Sequence, residues 1–157
     1  MFKDKKVHCL IPARGGSKGI KNKNIIEFCG SPLIYHSINQ SNNSRYIDEV
    51  FVSSDSDEIL RISKNCGATP VKRPPELSRD DSTSESAIEH FLHTSDCDFL
   101  IFLQATSPLR ETKDIDNAIE KFCNQKYDSL FSATEAQDFF VWNILNKQYK
   151  SLTYDFK

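Results

Sequence analysis

Apolar runs of strand length alternate with amphipathic stretches of helix length along most of this chain. That alternation restricts its fold more than any other feature. Residues 6–12, 49–54, 98–103 and 129–134 read as strands, and Thr69–Lys72, with Pro70 inside it, reads as a short edge piece. Between them the 3.6-residue period returns. Pro32 opens a helix through about Gln40 with Leu33, Ile34 and Ile38 on one face, stopped by Asn42-Asn43-Ser44. Asp57–Cys66 comes next, with Ser54, Asp55 or Ser56 as its N-cap and Gly67 just past its end. Ser84–Thr94 turns Ala87, Ile88, Phe91 and Leu92 inward, and 112–123 buries Ile115, Ala118, Ile119 and Phe122. The run Phe99-Leu100-Ile101-Phe102-Leu103 is almost uninterrupted, as a central parallel strand covered on both faces would be. Strand–helix alternation at this spacing implies an α/β fold, a three-layer sandwich around a mainly parallel sheet.

Length and composition bound the rest. With 157 residues the chain makes one domain, residues 1–157, with a sizeable core. A net charge of −2 argues against a nucleic-acid-binding protein. The charge is uneven, however. Residues 1–30 hold seven basic and two acidic residues, a local excess of +5 that suits a polyanionic small molecule. Five scattered cysteines, none in a Cys-x-x-Cys pair, fit reduced thiols, with Cys9 and Cys123 filling core positions. The apolar run behind Lys3–Lys6 ends at Pro12, too short for a signal sequence, and no run approaches a membrane span. A cytoplasmic location is expected.

The first strand runs into Arg14-Gly15-Gly16-Ser17-Lys18-Gly19-Ile20-Lys21-Asn22-Lys23-Asn24. Glycines let the backbone approach an anion, and successive N–H groups in such a turn form a concavity for it. Arg14, Lys18, Lys21 and Lys23 add charge, and Ser17 and the asparagines add neutral hydrogen bonds. The spacing fits neither a Walker A loop nor the dinucleotide fingerprint. From the residues alone two readings stand, a phosphate cradle and a solvated surface loop.

Ligands of parallel sheets gather at the carboxyl ends of the strands. Three polar clusters fall there: Arg14–Asn24, Ser53–Glu58 and Gln104–Arg110. A fourth, Arg73–Ser84, leads into a helix. Bland readings accompany each. Arg73 could pair with Glu76, Gln104 could satisfy strand-end backbone, and Asp55 and Asp57 suit a helix N-terminus better than a metal. His90 and His93 have a metal-compatible spacing but no evident third ligand.

Taken in order, these clusters resemble the signature of the acylneuraminate cytidylyltransferases, the enzymes that activate sialic, legionaminic and pseudaminic acids as CMP-sugars. Ile11-Pro12-Ala13-Arg14-Gly15-Gly16-Ser17-Lys18-Gly19-Ile20-Lys21-Asn22-Lys23-Asn24 is similar to the first motif and Val52-Ser53-Ser54-Asp55-Ser56-Asp57-Glu58-Ile59 to the second. Lys72-Arg73-Pro74 with Leu77, Asp80 and Ser84 resembles the nucleotide-specificity loop. Leu103-Gln104-Ala105-Thr106-Ser107-Pro108-Leu109-Arg110 resembles a Leu-Gln-Pro-Thr-Ser-Pro-Leu-Arg motif, with Ala105 in place of the proline. Phe139–Trp142 looks like the start of a later aromatic segment.

The resemblance implies a Rossmann-like fold of the nucleotide-diphospho-sugar transferase type, and it implies roles. Arg14, Ser17 and Lys18 would hold the triphosphate of CTP, Arg14 and Lys18 as the catalytic cations, with Lys23 and Asn24 near the phosphates and ribose. Arg73 and Ser84 would contact cytidine, and Gln104 the sugar acid or the ribose. CMP would pass from CTP to a nine-carbon 2-keto sugar acid with release of pyrophosphate. Magnesium would accompany the phosphates, its protein ligands unknown in this chain, and family members pair as homodimers. Members continue past this point, so a C-terminally truncated domain is expected. The alternative to an enzyme is a truncated or degenerate CTP-binding module without turnover of its own. In either case the Phe139–Trp142 patch is expected to be exposed and to favour self-association.

Overall fold

The structure is a computed structural model that describes residues 4–17, 19–134, 142–145 and 148–151. It divides into two units, residues 1–126 and 127–157. The first holds β1 (Val7–Pro12), β2 (Glu27–Phe28), β3 (Ser31–Pro32), α1 (Leu33–Asn42), β4 (Glu49–Ser54), α2 (Asp57–Asn65), β5 (Thr69–Lys72), α3 (Ser84–Leu92), β6 (Phe99–Phe102) and α4 (Thr112–Asn124). In the second, β7 (Trp142–Leu145) and β8 (Gln148–Ser151) pair as an antiparallel hairpin.

Four parallel strands form the main sheet in the order β5-β4-β1-β6. Successive crossovers move from β1 out to β5, then return past β1 to β6. The chain therefore reverses direction between β1 and β6, the switch point at which parallel sheets open a crevice. β1 is the buried strand. Val7, Cys9 and Ile11 face one side, where Ile34 and Ile38 of α1, Ile59 of α2, and Ile115 and Ile119 of α4 cover them. On the other side His8 stands 5.0 Å from the Phe51 ring, and Phe51 packs 4.9 Å from Phe91 of α3. Helices thus cover both faces, the three layers expected. Burial pushes the Cys9 thiol up to about 12, as befits a sulfur used for packing.

Local chemistry explains the element ends. Ser56 Oγ accepts the Ile59 N–H at the start of α2. Gly67, at φ +91, ends the same helix in the left-handed region that glycine tolerates. Thr83 Oγ1 caps α3. Glu111 and Asp114 form a reciprocal capping box on α4. Buried Asp116 accepts from Ser44 Oγ at 2.6 Å and Arg45 Nε at 2.9 Å, pinning the turn after α1 to α4.

Four expectations need correction. Residues 129–134 form no strand, and Phe131 is 85% exposed; an apolar run becomes a strand only where a ladder partner takes up its backbone groups. β6 is not central. Among the described residues it pairs with β1 alone, and its four residues are only half-buried, so the both-faces pattern overstated its surroundings. Leu92, the last residue of α3, is 45% exposed, because Ala87 and Phe91 already fill the inward positions of so short a helix. Cys123 is half-buried, being on the last turn of α4. Phe139–Val141 lie outside the described residues, and Trp142 opens β7.

Candidate nucleotide site

A cleft of about 490 Å³ opens at the carboxyl ends of β1 and β6. Pro12 and Phe102, the last residues of those strands, form part of its wall. Six of the eight residues singled out from the sequence line it: Arg14, Ser17, Lys23, Asn24, Ser84 and Gln104. They come from three separate segments, and the switch point of the sheet brings them together. Lys18 lies outside the described residues. Arg73 is not a lining residue. It is 5% exposed.

The Gly-rich loop is held from below. Ala13 N–H donates to Ser53 O at 2.9 Å, extending the β1–β4 ladder one step past Pro12. Gly15 N–H then donates to Asp55 Oδ1 at 2.9 Å. A Cβ on Gly15 would stand 3.1 Å from Ser56 Cβ, so glycine permits this approach. Gly16 and Gly19 differ, since a Cβ at either meets nothing within 4 Å. Asp55 lies just before the N-cap of α2. Its carboxylate sets the loop, and its carbonyl accepts Lys72 Nζ at 2.8 Å. The sequence hinted at this only in placing an acid at the end of the neighbouring strand.

Asn24 lines the cleft and also holds the loop. It is 6% exposed, and its Nδ2 donates to Arg14 O at 3.0 Å, which closes the loop on itself. Asn22 enters the turn at φ 54, a conformation asparagine tolerates. Arg14 Nη1 donates to Arg79 O at 3.0 Å and Asp80 Oδ1 at 2.9 Å. Arg73 N–H continues the ladder to Ser54 O, and its Nε donates to Ser78 Oγ at 3.0 Å. Ser78, not Glu76, is therefore its partner. Burial draws the Arg73 guanidinium below its usual value; nearby Asp55 opposes this and Arg14 adds to it.

The third wall is the segment after β6. The Gln104 side chain is exposed, and its carbonyl accepts Ser37 Oγ at 3.3 Å. Gln40 of α1 staples the next stretch, Pro108–Thr112, to the helix. Its Nε2 donates to Pro108 O at 2.7 Å, its Oε1 accepts Arg110 Nη1 at 3.1 Å, and its carbonyl accepts Thr112 Oγ1. Sequence reading missed Gln40, which sits inside a helix with no motif around it. Among the described residues the lining thus carries two cations, several neutral donors and no carboxylate, a chemistry for a polyanion.

The family model described as Cytidylyltransferase matches residues 8–153. The chain belongs to the cytidylyltransferase family. It is 41% identical over 133 residues to a pseudaminic acid cytidylyltransferase of Campylobacter jejuni, covering 81% of this chain and 57% of that protein. It is 38% identical over 132 residues to an N-acylneuraminate cytidylyltransferase of Streptococcus agalactiae, covering 82% of this chain and 32% of the relative. The chain thus spans little more than half of the first relative and a third of the second. Among solved structures, a CMP:2-keto-3-deoxy-manno-octonic acid synthetase complexed with CTP superposes with a TM-score of 0.70 at 21% identity, over 77% of this chain and 48% of that one. At that identity the likeness establishes the α/β fold.

Cytidylyltransferase resemblance implies magnesium, which takes oxygen ligands and commonly one or two carboxylates beside substrate phosphates. Among the described residues no carboxylate lines the cleft and no group of three or more His, Cys, Asp or Glu could hold a metal ion. The described residues therefore do not make a magnesium site by themselves. Among them, no helix is long and apolar enough to cross a membrane.

Proposed function

We propose that this chain carries the CTP-binding part of a cytidylyltransferase that transfers CMP to a nine-carbon 2-keto sugar acid. One observation carries the reading: Arg14, Ser17, Lys23, Ser84 and Gln104, separated in sequence by up to 90 positions, line one cleft at the switch point. The names of the relatives support the same class of acceptor.

In this reading the anomeric oxygen of the sugar acid attacks the α-phosphorus, the bond to the β-phosphate oxygen breaks, and pyrophosphate leaves with the electron pair. The hydroxyl proton goes to solvent. Arg14 and Lys23 bind the phosphates and offset the charge that grows on the leaving group. The Gly15–Gly16 backbone lets the phosphates come close, while Ser84 and buried Arg73 set the nucleoside end. Fixing the triphosphate against a rigid strand end orients the reaction. No step is assigned to a metal.

Calorimetric titration with CTP, with and without Mg²⁺ and with UTP, GTP and ATP as controls, tests the nucleotide half. Selective CTP binding is expected, followed by pyrophosphate release with a panel of sialic, legionaminic and pseudaminic acids. Binding without release would restrict the chain as given to nucleotide capture. A folded sample that binds no nucleotide overturns the proposal.

A further inference from the structure

The Arg14 guanidinium is not held by its own loop. It is gripped by the segment between β5 and α3, which also delivers Ser84 to the cleft. Both contacts use one nitrogen. Nη1 carries two N–H groups, and Arg79 O and Asp80 Oδ1 take them at 3.0 and 2.9 Å. Among the described residues the Nε–Nη2 edge donates to no protein atom. That edge presents two parallel N–H groups, the arrangement that binds phosphate oxygens in pairs.

The gripping segment is itself shaped before any ligand arrives. Arg73 ties its start to Ser54 O and Ser78 Oγ. Ser82 Oγ accepts Arg79 N–H at 3.0 Å and donates to Glu76 O at 3.3 Å. Thr83 caps the helix that begins at Ser84. Asp80 is thus a group of fixed position against Arg14.

We propose that Asp80 is a positioning residue: with the Arg79 carbonyl it turns the Nε–Nη2 edge of Arg14 toward the triphosphate, and it couples phosphate binding to the loop that carries Ser84. The inference rests on the cytidylyltransferase reading of the cleft. A competing role, Asp80 as an internal anion that phosphate must displace, fits the contacts less well. A displaceable stand-in would occupy the bidentate edge, and the shared Arg79 carbonyl is neutral.

The test is calorimetry on the full chain with CTP and with inorganic triphosphate, for wild type, Asp80→Ala, Asp80→Asn and Arg14→Ala, and for Asp80→Ala combined with Arg14→Ala. Asp80→Ala is expected to weaken both ligands by about tenfold, the scale of one charged hydrogen bond. Asp80→Asn keeps an acceptor oxygen and is expected to recover most of that loss. In the Arg14→Ala background, Asp80→Ala is expected to cost less than about twofold, because the group it orients is gone. Melting temperatures are expected to stay together, since the Arg14 and Asp80 side chains are 35% and 48% exposed. Asp80→Ala binding as tightly as wild type, or more tightly, overturns the positioning role, as does an equal loss with and without Arg14. Absence of CTP binding by the folded wild type overturns the cleft reading and this inference with it.

Discussion

The sheet carries a cleft at each end, and the two are nearly equal in size, about 490 Å³ at the carboxyl ends of the strands and about 510 Å³ at the amino ends. Both hold two cations among their lining residues. At the amino end both cations are paired. Lys5 pairs with Asp98 at 2.9 Å, Lys6 with Asp96, and Asp48 accepts Val7 N–H at 2.8 Å. At the carboxyl end, among the described residues, no carboxylate lines the wall and Lys23 has no ion-pair partner. Arg14 meets its acid with one nitrogen and keeps an edge in reserve. Basic residues alone therefore do not mark a ligand site. Uncompensated donors over a glycine backbone do.

The sharpest way to break this contrast is to remove one cation at each end. Arg14→Ala is expected to weaken CTP by about a hundredfold or more, the scale of a lost phosphate clamp. Lys6→Ala is expected to change it by less than about twofold, because exposed pairs far from the ligand matter little. Equal effects in titration calorimetry would erase the distinction.

The glycines offer a second cut. Gly15→Ala is expected to cost about 1–3 kcal/mol in chemical denaturation, since its Cβ would crowd Ser56 at 3.1 Å. Gly16→Ala meets nothing within 4 Å and is expected to leave folding unchanged. If it nevertheless weakens CTP, the open space beside Gly16 belongs to the ligand.

Arg73 sharpens the comparison from the side of stability. It is a buried cation whose charge is disfavoured by its surroundings. Arg73→Met is expected to melt no lower than wild type while binding CTP about tenfold more weakly, a pattern of charge kept for recognition. A large loss of melting temperature would make Arg73 a structural residue.

The smallest effect concerns the amino-end pairs. Hydrogen bonds from Lys6 to Asp96 and from Lys5 to Asp98 hold both carboxyls below their usual 3.8, and the same bonds raise the lysines above 10.5. Their contribution to stability is then complete between about pH 4 and 10. It fades as pH falls through the lowered carboxyl values, or rises through the raised lysine values. Asp98→Asn is expected to flatten the acid limb slightly in a pH series of melts and to leave CTP binding alone.

Much of the fold was legible because it is written locally. Periodicity placed α1, α2, α3 and α4, and Gly67 announced the end of α2. Pro70 marked β5 as an edge. Legibility failed at 129–134 and at β6, where the question was which strand lies alongside, a matter of partners distant in the chain. Within the site, residue types gave the cations and the glycines. They did not tell that Asn24 turns inward to Arg14 O, that Arg73 is covered, or that Asp55 supports Gly15.

By itself the sequence determined an alternating α/β chain, a cationic glycine loop at the end of its first strand and the motifs of the cytidylyltransferases. Short-range hydrogen bonding and side-chain period encode these, and both act over a few residues. Tertiary structure alone decided that β1 and β6 are neighbours, that the cleft opens between their ends, and that Asp80, 66 residues from Arg14, directs its guanidinium. Such relations depend on crossovers that fold distant segments onto one sheet edge, and no local pattern records where a crossover lands.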